Sequence, residues 1–183
     1  MFTLNEFISL KACLNVNGLL GNWESSAYTV HREQKSNSPF TARLADMRDH
    51  ERAMLVYVKL ADVSQQKQQF LGRDKFLILT AAAACRAGWL KVAVRCRELV
   101  LVHNRSHLVG NFETFADALR SREFEPFLKR LERFCGYERA EHLLQQLDFE
   151  TDLPDEFSDQ NSGEHVLQML STSQWRHRET DAG

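Results

Sequence analysis

FLILTAAAACRAGWLKVAVRCRELVLVH, residues 76–103, is the most apolar and most alanine-rich stretch of the 183-residue chain. Gly88 divides it into two amphipathic halves. A helix running from Asp74 as N-cap to Ala87 would stop at Gly88, because glycine enters the left-handed conformation of a helix end without a Cβ penalty. Trp89 then opens a return helix, with Ala93, Cys96 and Val100 on one side and Leu90, Val94 and Leu101 beside them. So wide an apolar face places that helix between neighbours rather than at an edge. Ala81 to Ala84 offer nothing beyond a methyl, which lets a facing helix approach to the short end of the usual separation of roughly 8–10 Å.

Upstream, Thr3 and Glu6 have the spacing of a capping box, with Phe2 and Phe7 as its hydrophobic staple and Gly18 or Gly21 as the stop. Residues 23–34 read either as a helix with Trp23, Ala27 and Val30 inward or as a strand through SAYTVHR. Helix is preferred, because no second convincing strand lies nearby to pair with it. Ser38 and Pro39 begin a long helix to about Ala61, with Phe40, Leu44, Met47, Met54, Val58 and Ala61 at helical spacing. Glu51 falls in that stripe and is expected to meet an arginine, Arg48 or one from a neighbouring helix. The polar run Val63 to Leu71 reads as a connection or short helix ending at Gly72.

Downstream, Asn111 is the expected cap of a helix from Phe112 to Leu119. A further helix follows Ser121, with Pro126 in its first turn and Phe124, Phe127, Leu128, Leu131 and Phe134 inward. Gly136 closes it, and Tyr137 to Leu147 follows with Ala140, Leu143, Leu144 and Leu147 on its apolar side. The expectation is an all-α bundle of stacked helical hairpins, with residues 1–147 as a single helical domain.

Charge separates the rest. Residues 1–147 carry 21 Lys and Arg against 16 Asp and Glu, whereas residues 148–183 carry 2 against 9, for the chain's net charge of −2. The composition of 148–183 is that of a flexible acidic tail. At 163–175 a short amphipathic helix is expected, with Val166, Leu167, Leu170 and Trp175 as a partner-docking face. Alone it would be too short to persist in water. Docking back onto the body in cis and docking on a partner in trans both fit this pattern.

No apolar run approaches the roughly 20 residues of a membrane span. MFTLNEFISL has no basic residue ahead of Lys11, unlike a secretory signal. The four cysteines, Cys13, Cys85, Cys96 and Cys135, form no C-x-x-C pair, and two lie within apolar helical patterns. Reduced thiols and a cytoplasmic setting are expected. No cofactor is expected either, since phosphate loop, nucleophile elbow and dinucleotide fingerprint are all missing.

The hairpin at residues 74–105 resembles one tetratricopeptide repeat. Ala81, Gly88 and Ala93 stand at that family's small positions, and Leu90 and Leu101 at large apolar ones. Leu77 and Arg105 depart from its usual aromatic and proline. One repeat length further, Phe115, Arg122 and Phe127 occupy the small positions, so no array follows. What the resemblance implies is a binding scaffold, and the leading expectation is a non-enzymatic adaptor whose partner is another protein. Two alternatives rest on side-chain chemistry. A small metal-binding or enzymatic protein would use His103 and His107, four apart, or Asp46, His50 and Glu51. A nucleic-acid module, disfavoured by so small a positive charge, would use a basic patch of Arg86, Lys91, Arg95 and Arg105.

Overall fold

The structure, a computed structural model, describes residues 39–147, 161–172 and 175, with side chains from residue 46 onward. The N-terminal capping box, the helix-or-strand question at 23–34 and the acidic segment up to residue 160 lie outside the described residues. Within them the chain is all-α. Seven helices pack together, and no strand occurs among the described residues. They are α1 (Pro39–Gln66), α2 (Phe70–Ala87), α3 (Leu90–His103), α4 (Phe115–Arg120), α5 (Glu125–Phe134), α6 (Tyr137–Gln146) and α7 (Ser162–Leu170).

α2 is the centre, packed against α1, α3, α4 and α5. Its alanine run, Ala81 to Ala84, is buried throughout, as close helix packing requires. The largest interface is α1 with α2 rather than the α2–α3 hairpin. The reason is that α1 is apolar nearly all round from Ala53 to Val63, where buried residues run almost without interruption. α3 differs from expectation in the opposite sense. Leu90, Val94 and Val102 remain exposed, so one side of its broad apolar face is uncovered in the structure.

Both central helices end in the same motif. Gly88 sits at φ 89°, with its N–H on the Cys85 carbonyl and the Trp89 N–H on Ala84. Gln68 sits at φ 59°, with its N–H on Gln65 and the Gln69 N–H on Ser64. Each is a left-handed stop closing two carbonyls of the last turn. The first α1 stop therefore falls at Gln68, not at Gly72, which is buried inside α2. Asp74 is likewise no N-cap but a buried residue of α2, whose helix starts a turn earlier.

Other boundaries moved for local reasons. α3 ends with Asn104 in an extended conformation. Leu108–Asn111 is a single 3₁₀ turn, and the cap of the next helix is Thr114, whose hydroxyl accepts from the Asp117 N–H. Gly136 serves as the N-cap of α6 after Cys135 has ended α5. Phe124 is fully buried at the centre of an aromatic cluster, with ring centroids 5.9 Å from Phe112, 5.7 Å from Phe115 and 5.4 Å from Phe127. Tyr57 ties α1 to the α5–α6 junction by donating to the Cys135 carbonyl at 3.0 Å, and its burial drives the phenol pKa upward.

Candidate functional site

The α1–α3 face holds the short C-terminal helix. α7 packs on both helices, and its i, i+4 pair Val166 and Leu170 is fully buried. Trp175, just beyond it, is 2% exposed, while Leu167 is half-buried on the flank. A nine-residue helix gains little from its own hydrogen bonds, so its order derives from this docking. Four features shape the seat.

Trp89 leads α3 and lies half-buried against α1. Its indole Nε1–H donates to Glu51 Oε1 at 2.8 Å, so Glu51, the one acid in the α1 stripe, meets a tryptophan rather than an arginine. Gly163 crosses that indole. A Cβ there would lie 2.1 Å from Trp89 Cδ2 and Cε3, a distance no side chain tolerates. Glycine at this point lets the two helices touch. Arg95 holds the far end, its Nε donating to the Leu170 carbonyl at 3.2 Å. A cation at a helix C-terminus satisfies an orphan carbonyl and complements the helix dipole. Last, the buried Trp175 Nε1 has no hydrogen-bond partner among the described residues.

A second polar construction lies at the other end of the hairpin. Arg73, 1% exposed, donates through Nε and Nη2 to Asp74 Oδ1 at 3.0 and 2.7 Å and through Nη1 to Gln65 Oε1 at 2.9 Å. Asp74 Oδ2 lies 2.5 Å from His103 Nδ1. The Phe70 ring stacks beside both, 5.1 Å from the guanidinium and 5.4 Å from the imidazole. These contacts join the end of α1, the start of α2 and the end of α3, which makes the cluster a clasp. Its signal in the sequence was an Arg–Asp pair inside the apolar run FLGRDKFLIL, where no solvated charge belongs.

The residues proposed for metal or catalysis do not converge. α3 ends at His103, so His103 and His107 do not share a helix face. His107 Nδ1 instead accepts the Val109 N–H at 3.1 Å, and burial lowers its pKa despite the opposing pull of Asp74. No cluster of three His, Cys, Asp or Glu suited to a metal occurs among the described residues. Asp46 and His50 form a side-by-side pair on α1 at 3.6 Å, while Glu51 turns to Trp89.

The basic patch is dispersed as well. Arg86 pairs with Glu132 at 2.8 Å, and Arg95 with Glu98 at 3.2 Å in addition to the α7 carbonyl. Lys91 is exposed in the first turn of α3, and Arg105 is exposed past its other end. Another set of cations, Lys129, Arg130 and Arg133, lines a surface depression on α5 with Glu125 and Pro126. Lys129 is paired with Glu125 at 2.6 Å.

Cys85 and Cys96 are thiols outside any disulfide. Burial pushes Cys85 up to about 11 and Cys96 higher still, so both stay protonated and unreactive at neutral pH. No helix of the described residues is long and apolar enough to cross a membrane. No family model matches the chain, and comparison with curated proteins and with solved structures returns no match either.

Proposed function

We propose that this protein is a non-enzymatic helical scaffold or adaptor whose business is contact with another protein. The observation that supports this reading is the seat on the α1–α3 face, where a rigid body takes up a short amphipathic helix remote in sequence. A helix laid in an apolar groove is one of the recurring modes of peptide recognition. The buried alanine run of α2 favours hairpin stacking of the tetratricopeptide kind, and that family's members are binding scaffolds. Protonated, buried thiols suit a reducing, cytoplasmic setting.

His103 and His107 are engaged by Asp74 and the Val109 amide, and Arg86 and Arg95 by Glu132 and Glu98. Affinity capture from the source cells tests the adaptor reading, using the full chain, its Trp89→Ala variant and an Arg122→Ala control. A partner held by the full chain and the control but lost with Trp89→Ala is expected. A chain that retains no specific protein in any form is not an adaptor.

A further inference from the structure

We infer that the corner between α3 and α4 is a proton-operated joint, closed while His107 is neutral and opened in acid when its Nδ1 takes up a proton. The joint is independent of the adaptor reading. His107 is the N-cap of the 3₁₀ turn Leu108–Asn111, and its Nδ1 accepts the Val109 N–H at 3.1 Å. Only an unprotonated ring nitrogen accepts, so the closed corner requires the tautomer with its proton on Nε2. An imidazolium carries a proton on both nitrogens. In this place it sets one N–H against another and strands the amide of Val109, a fully buried residue.

Nothing around the ring offsets that loss. α5 presents the Phe127 ring, edge-on to the imidazole with centroids 5.5 Å apart. α2 presents Asp74, whose charge attracts a proton, but Arg73 occupies its Oδ1 and His103 of α3 its Oδ2. The charged residues of the corner itself, Arg105 and Glu113, are exposed. Burial outweighs the pull of Asp74 and lowers the His107 pKa. The closed corner therefore binds a proton less readily than an open one, and acidification favours opening.

The corner is also built to move by itself. Val109 is the one buried residue between α3 and α4. Its backbone bonds are local: Ser106 N–H to the Asn104 side chain, Gly110 N–H to the His107 carbonyl and Phe112 N–H to the Val109 carbonyl. Arg97 adds a bond from α3, donating to the Phe112 carbonyl at 2.6 Å. Segments with so few buried contacts open at free energies below that of global unfolding. Opening lifts Val109 and Phe112 away and uncovers the Phe112 side of Phe124, so the aromatic cluster is presented to solvent in acid.

Native-state hydrogen exchange on the full chain, expressed as protection relative to the intrinsic rate at each pH, tests the joint between pH 7.5 and 5.5. The amides of Val109, Gly110 and Phe112 should open at a lower free energy than those of Leu55–Leu60, with little dependence on denaturant. Their protection should fall severalfold on acidification. His107→Asn supplies a cap that does not titrate and should hold the corner's protection constant. His103→Asn keeps the sensor and should lose protection as the parent does. Should His107→Asn fail to fold, nitrogen-15 NMR of the parent imidazole carries the test. The proton should sit on Nε2 at pH 7.5, and uptake of the second proton should coincide with the loss of Val109 protection. A ring protonated on Nδ1 at pH 7.5 overturns the joint, as does unchanged protection at the two pH values. Corner amides that share the free energy and denaturant dependence of Leu55–Leu60 open only by global unfolding, which also refutes it. A loss that persists in His107→Asn, or vanishes in His103→Asn, places the sensor elsewhere and overturns the assignment.

Discussion

Asp74 accepts from Arg73 on one oxygen and faces His103 on the other, inside a protein that leaves it 6% exposed. Removing one member of a buried ion pair strands the other charge, at a cost of about 3–5 kcal/mol, whereas replacing both by apolar residues is often close to neutral. Asp74→Leu alone should therefore lower unfolding stability by about that amount, and Arg73→Met with Asp74→Leu should recover most of it. Denaturant midpoints of the two single variants and the double variant decide this; an additive double variant would mean the pair is not coupled. His107 gives a pH signature. Its imidazole is partly desolvated and accepts the Val109 N–H through Nδ1, so only the neutral form suits the fold. The folded pKa lies below the ordinary value of about 6.5, and the unfolded chain takes up this proton first on acidification. Its contribution is thus complete above about pH 6.5 and declines as the pH falls through the window beneath. His107→Asn keeps an acceptor without the titration, and should show a smaller loss of melting temperature between pH 7.5 and 5.5 than the parent chain.

The helix ends explain which boundaries could be read from the residues and which could not. Gly88 was legible because glycine is the ordinary occupant of a left-handed stop, and the structure places it there at φ 89°. The equivalent stop of α1 was not, because glutamine stands in it at φ 59°. A left-handed residue with a Cβ costs roughly 1–2 kcal/mol, part of which glycine returns through its greater freedom when unfolded. Gln68→Gly should accordingly stabilise the protein by about 0.5–1 kcal/mol in chemical denaturation, and a destabilised variant would show that the Gln68 side chain matters more than its backbone. The alanine run was legible as a close-packing surface, and Ala84→Leu should overpack it at a cost of about 1–3 kcal/mol. An unchanged melting midpoint would mean the helices separate freely there. Asp74 misled because its neighbours suit an N-cap, while it is held inside the helix by Arg73 beside it and by His103, 29 residues away. The groove was half-visible. Val166, Leu170 and Trp175 stood out as an apolar face, but Gly163 against Trp89, Glu51 on the indole and Arg95 on a carbonyl are pairings across the fold that no local pattern encodes.

At the scale of the molecule, the helices differ in how many neighbours enclose them. α1 and α2 share the largest interface, and α2 is further enclosed by α3, α4 and α5. The Tyr57 hydroxyl adds a bond to the α5–α6 junction across 78 residues of sequence. Separating any of these helices exposes the rest of the core, so their amides should exchange with solvent only through global unfolding. α7 adds Val166, Leu170 and Trp175 to the edge of that core and is bonded at its end by Arg95. Native-state hydrogen exchange should therefore give the amides of Val166–Leu170 a lower opening free energy, with little dependence on denaturant, than those of Leu55–Leu60 and Ile78–Ala84. Gly163→Ala sharpens the contrast, because its added methyl meets the Trp89 ring. It should lower protection in α7 while leaving the two core segments unchanged, whereas Ala84→Leu should lower protection everywhere. If Val166–Leu170 instead exchange with the global free energy, and Gly163→Ala weakens the whole molecule alike, α7 is a structural part of one cooperative unit and its seat is not open to exchange.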